Sequence, residues 1–226
     1  MAKLLSPEIL AAVSSHMLRV ETDVLLKVNT GDHVKKSELR EFLHDLASAS
    51  PRLTVEEEML QYPSAGPLTF QVKARTKDSE IYFSGIPGGH EFNSLILAIL
   101  QVAGGDLKLD DSIVRYVSGL SARLVFKVYV SLDCENCPEV VQTLNKFSVV
   151  NELVSTETLD GGVFQDEVKA LGIQGVPTVF LNDELFHVGR LNLATMMEQL
   201  TEHYPPTENS LEDNKCAPAF DIAIVG

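Results

Sequence analysis

Ser131-Leu132-Asp133-Cys134-Glu135-Asn136-Cys137-Pro138-Glu139-Val140 is the stretch on which the fold turns. Leu124 to Val130 before it has the pattern of a strand, and Pro138 to Val149 after it has the apolar spacing of a helix. Pro138 would fall in the first helical turn, where a missing N–H costs nothing. The two cysteines therefore stand at a strand-to-helix corner. Free amide N–H groups and the helix dipole favour a thiolate there, so Cys134 should ionise below the usual thiol value of about 8.5. Cys134 is expected to be the exposed attacking thiol, with Cys137, one turn inside, as the resolving thiol that completes the exchange. Half of a zinc knuckle is the alternative, but it needs two further ligands. No second C-x-x-C or close Cys/His pair exists in the sequence.

Outward from the corner, strand Val154 to Leu159, helix Phe164 to Leu171, strands Thr178 to Leu181 and Leu185 to Val188, and helix Leu193 to His203 give the order βαβαββα. That is the thioredoxin order. Such folds place a cis proline opposite the dithiol, and Gly175-Val176-Pro177-Thr178 is positioned for it. Only about 5–6% of X-Pro bonds in folded proteins are cis, so the proline means little without the C-x-x-C upstream. With it, Pro177 is predicted cis, and the backbone of Val176 would pair with an extended partner segment. Thioredoxins also bury a carboxylate in the strand before the motif, to move protons at the second cysteine. Phe126-Lys127-Val128-Tyr129-Val130 has none. Glu91, after Gly88-Gly89-His90 and ahead of an apolar helix, could be pressed against the second half and supply it. On these residues alone, an N-terminal helix charge worth about 0.3–1 kcal/mol is the simpler account.

The first half repeats the pattern. Ser6-Pro7-Glu8 opens an amphipathic helix through Ile9, Leu10, Val13 and Met17. Strand Val20 to Asn29, helix Val34 to Ala47, strands at Leu53 to Val55, Leu68 to Ala74 and Ile81 to Phe83, and helix Phe92 to Ala103 follow. A connecting helix, Asp110 to Gly119, bridges to the second half. Thr30 to Leu39 overlays Ser131 to Val140 at a constant offset of 101, which sets His33 against Cys134 and Lys36 against Cys137. The first half thus keeps the architecture without the dithiol. Gly66-Pro67-Leu68 echoes Gly175 to Thr178 only loosely. The expected division is residues 1–120, a redox-silent half with its connecting helix; 121–203, the C-x-x-C half; 204–219, a linker rich in Pro, Asn, Asp and Glu; and 220–226, a short apolar strand like the start of a dinucleotide-binding βα unit. Cys216 falls in the linker and Glu56-Glu57-Glu58 at a solvated strand end, outside the chemistry.

Bulk properties narrow the class. A chain of 226 residues is comfortable for two units of roughly 100 residues each. A net charge of −14 and pI near 4.8 disfavour nucleic acid and anionic membrane as partners. No uncharged apolar run approaches the roughly 20 residues of a membrane helix, and the N-terminus lacks an apolar signal region, so cytoplasmic residence is expected. Three cysteines are too few for a disulfide-stapled scaffold, which leaves redox or metal work for the pair.

Phe83-Ser84-Gly85-Ile86-Pro87-Gly88-Gly89-His90-Glu91-Phe92, Cys134 to Pro138, Asp160-Gly161-Gly162-Val163-Phe164-Gln165 and Gly175-Val176-Pro177 together resemble the N-terminal domain of the bacterial alkyl hydroperoxide reductase flavoprotein subunit (AhpF). The resemblance covers nearly the whole chain. It implies an α/β fold in which two tandem thioredoxin-like units share a continuous mixed β-sheet flanked by helices. It places Cys134 and Cys137 on the family's N-terminal dithiol, and Glu91 on the glutamate of its G-H-E-F segment, which favours Glu91 as a proton-transfer partner. Electrons in that family pass from NADH to FAD, to a second dithiol, to the N-terminal C-x-x-C and on to a peroxiredoxin (AhpC-like) subunit. The implied partners are that peroxiredoxin and a C-terminal flavoprotein domain, within a homodimeric full-length protein. This stretch alone would bind neither FAD nor NADH. Two other readings stay open: a free-standing glutaredoxin-like disulfide oxidoreductase or isomerase, and a redox-inactive binding module using the same groove.

Overall fold

Ser6 opens the first helix as its sequence predicts, its Oγ accepting the Ile9 N–H at 3.3 Å in a computed structural model that describes residues 4–206 except 19, 21, 61–65 and 76–78. Helix α1 (Pro7–Met17) buries Leu10, Val13 and Met17, while Ile9 stays 41% exposed and so leaves the apolar face assigned to it. Strand β1 (Val24–Asn29), helix α2 (Lys36–Ala47), strands β2 (Leu53–Glu58), β3 (Thr69–Ala74) and β4 (Glu80–Ser84) and helix α3 (Glu91–Val102) complete the first unit. Helix α4 (Asp111–Ser118) leads into the second unit: β5 (Leu124–Val130), α5 (Cys137–Val150), β6 (Val154–Asp160), α6 (Gln165–Ala170), β7 (Thr178–Leu181), β8 (Glu184–Val188) and α7 (Leu193–His203). The linker beyond residue 206, Cys216 and the apolar stretch 220–226 lie outside the described residues.

Three boundaries move by two residues or more, one of them the end of β2, which runs on past Val55 to Glu58. β1 begins at Val24 rather than Val20. α2 begins at Lys36 rather than Val34, because the Lys36 N–H closes a turn on the His33 carbonyl at 2.9 Å and leaves Val34 92% exposed.

The eight strands among the described residues form one sheet in the order β2-β1-β3-β4-β6-β5-β7-β8. Within each unit a parallel pair (β1 with β2, β5 with β6) is followed by antiparallel pairings (β1 with β3 and β3 with β4; β5 with β7 and β7 with β8). The units join where β4 lies parallel to β6, in the register Glu80↔Ser155 to Ser84↔Leu159. Two tandem thioredoxin-like folds therefore share one continuous mixed sheet flanked by helices, as the repeat and the resemblance anticipated.

The main core lies between the sheet and the helices. Leu39, Leu43 and Leu46 of α2, Leu95 and Ile99 of α3, and Val140, Leu144 and Phe147 of α5 are buried there, with Phe70 and Phe83 stacked at 5.6 Å. Tyr129, Leu159 and Phe180 form a smaller cluster with Phe164, Val168 and Ile173 around α6. The seam is also closed by polar groups. The Glu80 N–H donates to Ser148 Oγ at 3.0 Å, Gln142 Nε2 donates to Ser94 Oγ at 3.3 Å between α5 and α3, and the Ser84 hydroxyl donates to the fully buried Glu157. Buried polar groups need such partners, since leaving one unpaired costs roughly 1–3 kcal/mol. No helix among the described residues is long and apolar enough to cross a membrane.

Candidate active site

β5 ends at Val130, and residues 131–136 turn the chain into α5, whose first residue is Cys137. The turn is held by the Cys134 N–H donating to the Ser131 carbonyl at 3.0 Å. Pro138 occupies the first helical turn, and Asn136, at the capping position, makes no side-chain hydrogen bond to the helix. Instead the Cys137 N–H donates to Cys134 Sγ at 3.2 Å, so the first sulfur caps the helix. A thiolate at that atom would face a free backbone donor and the positive end of the dipole, as the sequence implied. The two sulfurs are joined as a disulfide with a Cα–Cα distance of 5.5 Å.

The pair is asymmetric. Cys137 is fully buried, whereas Cys134 is only half-buried. A partner sulfur can thus approach Cys134 but not Cys137. Opposite the pair, the Val176–Pro177 peptide is cis, as predicted. The Val176 carbonyl oxygen lies 3.8 Å from Cys134 Sγ, and the loop is pinned by the Thr178 hydroxyl donating to Gly175 O at 2.6 Å and by the Gly189 N–H donating to Pro177 O at 2.8 Å. Pro177 is buried and Val176 half-buried beside the exposed Gly175, which leaves a strip of backbone next to the reachable sulfur.

Glu91 is the first residue of α3, and α3 packs against α5 across the seam. The His90 N–H donates to the Leu132 carbonyl at 3.0 Å, tying the start of α3 to the turn that carries Cys134. Gly89, at φ +51°, permits this approach: a Cβ there would stand 2.2 Å from Leu132 O. His90 itself is exposed, as expected for a loop histidine. Glu91 is not a surface helix charge. It is 1% exposed, and neither carboxylate oxygen accepts a hydrogen bond of ordinary geometry. Burial raises its pKa to about 7, and the nearby Ser94 hydroxyl offsets only part of that. The structure thus brings Cys134, Cys137, Val176 and Pro177 together and sets Glu91 at the adjoining helix start.

Two neighbours of Glu91 are not singled out by the sequence pattern. Ser94 lies one turn after Glu91, at helical spacing. Asp160, which enters the sequence motifs only through the resemblance, shares with Glu91 the lining of a small cavity. The glycines Gly85 and Gly89 were the available signal, since each marks a close backbone approach.

The first unit shows what replaces the dithiol. Lys36, aligned with Cys137, is 4% exposed, and its Nζ donates to the carbonyls of Asn29 and, at 2.6 Å, of Pro67. Pro67 lies in the loop before β3 as Pro177 lies in the loop before β7, which strengthens the loose echo between the two. An ammonium group ties together the two segments that a cystine faces in the other half. Burial lowers its pKa.

A half-buried sulfur, a buried partner sulfur and a cis proline on a thioredoxin fold define a thiol–disulfide oxidoreductase domain, here of the doubled, single-sheet kind. Comparison with known proteins agrees. Residues 124–202 match the family model described as "Thioredoxin domain". The chain is 38% identical over 92% of its length to the F subunit of alkyl hydroperoxide reductase from Staphylococcus epidermidis, and 38% identical over 98% to a protein of Ferdinandcohnia aciditolerans named NADH dehydrogenase. It superposes on the N-terminal domain of AhpF from Enterococcus faecalis with a TM-score of 0.77, at 26% identity, covering 87% of this chain and 99% of that one. The chain belongs with the N-terminal, tandem thioredoxin-like domains of AhpF. It spans 39–41% of the length of the two curated relatives.

Proposed function

We propose that this chain is the electron-relay domain of a longer peroxiredoxin reductase of the cytoplasm. It would carry reducing equivalents from a flavin- and NADH-dependent part of the protein to an AhpC-like peroxiredoxin that reduces alkyl hydroperoxides. The observation that carries this reading is the asymmetry of burial at one helix start: a reachable Cys134 that caps α5, and a sealed Cys137 behind it. Two relatives support the assignment by name, one as the F subunit of alkyl hydroperoxide reductase and one as NADH dehydrogenase. FAD and NADH would belong to chain beyond this stretch, as would contacts holding a full-length homodimer. The exchange itself needs only sulfur, carboxyl and backbone groups of this domain.

In the reduced form, the Cys134 thiolate attacks one sulfur of the peroxiredoxin disulfide. The partner's S–S bond breaks, its other sulfur leaves as a thiolate and takes up a proton, and a mixed disulfide forms at Cys134. The Val176 backbone beside Pro177 would hold the partner segment extended against the sulfurs. The Cys137 thiol then gives its proton to the Glu91 carboxylate and attacks Cys134 Sγ, expelling the second partner sulfur. This domain is oxidised by two electrons to the disulfide, and the peroxiredoxin is reduced to its dithiol. A carboxyl group titrating at about 7 suits a proton acceptor near neutral pH.

The test is electron delivery from the full-length protein to its peroxiredoxin. Cys134→Ser should reduce delivery to background, and Cys137→Ser should trap the covalent mixed disulfide. Undiminished delivery by Cys134→Ser would overturn the assignment. Equal turnover of unrelated disulfide proteins would instead mark a general disulfide oxidoreductase.

A further inference from the structure

The cavity beside Glu91 is small, about 10 Å³, room for the centre of a single water. It lies where β4, β5 and β6 end, and Ser84, Gly85, Glu91, Leu132, Thr158 and Asp160 are among its lining residues. Glu91 and Asp160 are its two titratable residues. Glu91 brings two buried carboxylate oxygens that accept no hydrogen bond of ordinary geometry, the Ser94 hydroxyl being the donor nearby. Asp160, at the end of β6, is half-buried, so it has both the cavity and solvent within reach. Its Oδ1 accepts the Gly162 N–H at 2.9 Å, which fixes the rotamer, and Oδ2 lies on the side of Gly85, another residue of the cavity wall. Gly85, at φ +115°, makes room for it: a Cβ there would stand 2.9 Å from Asp160 Cβ and 3.7 Å from Oδ2.

A buried acid that gains and loses a proton in every exchange cycle needs a way to pass it to bulk water. Ser84 offers no outward route, because its hydroxyl donates to Glu157, which is itself fully buried. We propose that Asp160 is the outlet: a single water in the cavity bridges the two carboxyl groups and hands protons between Glu91 and the half-exposed aspartate. Asp160 is then a positioning residue that acts through Glu91 and touches neither sulfur. The inference rests on Glu91 being the proton acceptor.

With one water between them, the carboxylate oxygens would be about 5 Å apart, close enough for each charge to resist the other's ionisation. Two measurements on the full chain test this. One is the Glu91 midpoint, followed by carboxyl carbon NMR. The other is the pH profile of the single-turnover step in which Cys137 expels thionitrobenzoate from a mixed disulfide at Cys134, in a Cys216→Ser background. Asp160→Asn keeps an oxygen for the Gly162 N–H, so the turn should survive. It should lower the Glu91 midpoint, and with it the midpoint of the rate profile, by roughly 1 pH unit. Asp160→Ser should do the same if the amide itself disturbs the turn. Unmoved midpoints in both variants would overturn the proposal, as would an equal shift in Ser84→Ala, which would place the coupling with Glu157 instead. If Glu91→Gln leaves the profile unchanged, the proton-acceptor reading falls as well. A profile altered by Glu91→Gln but not by the Asp160 variants refutes the outlet alone.

Discussion

Glu91 sits in a place where ionisation opposes folding. Its pKa rises from the ordinary 4.5 to about 7 in the folded chain, so the native state holds a proton that the unfolded state has released. Stability from this group is fully present below about pH 4.5 and is lost as the pH rises through about 7. Glu91→Gln should therefore stabilise the oxidised chain more at about pH 8 than at about pH 5. The difference should be of order 3 kcal/mol at most, read as a change in urea unfolding free energy relative to the unsubstituted chain. An equal effect at both pH values would show that the carboxyl titrates normally. The sulfurs and Pro177 were legible in the sequence because their roles depend on spacing along one strand and one helix start. Glu91 was ambiguous because the cavity it faces is walled partly by Val130, Leu132 and Thr158, which lie 39 or more positions away in sequence. Lys36 was noticed only as a missing cysteine. That its ammonium would be drawn inside by two backbone carbonyls follows from the loop before β3, which no local pattern reveals.

At the scale of elements, the start of α3 and the turn before α5 behave as one piece. Gly89 lets His90 reach Leu132 O, and any Cβ at this position would collide with that carbonyl at 2.2 Å while holding φ at +51°. The left-handed conformation alone costs an alanine roughly 1–2 kcal/mol, and the collision adds to it. Gly89→Ala is expected to cost the chain about 2 kcal/mol or more in denaturant unfolding, and to slow expulsion of a thiol from Cys134 by moving the turn. A variant with unchanged stability and rate would mean that the two elements move independently. The strands and helices of the second unit were readable nearly to the residue, since strands β5 and β7 carry β-branched and aromatic residues between clear breaks. α2 begins two positions later than Val34, because the turn on His33 keeps Val34 in solvent and off the face that carries Leu39, Leu43 and Leu46.

Across the whole molecule, the decisive feature is the parallel seam between β4 and β6. Either unit cut away at the seam would present a bare strand edge, with a row of unpaired N–H and C=O groups. An isolated fragment of residues 121–206 should therefore self-associate in sedimentation experiments and unfold at lower denaturant than the intact chain, whose own unfolding should be a single transition. A monomeric fragment of full stability would show that the seam contributes little. The repeat at an offset of 101 made two units legible, but which edges would meet was not, because strand order is decided by pairings far apart in sequence. The seam also divides the chemistry between two lineages of sequence. A chimera of this chain with a distant relative, spliced near residue 120, would take its sulfurs from one parent and its buried acid from the other. Its dependence on acidity would answer to both parents, since the acid would come from one and part of the wall around it from the other.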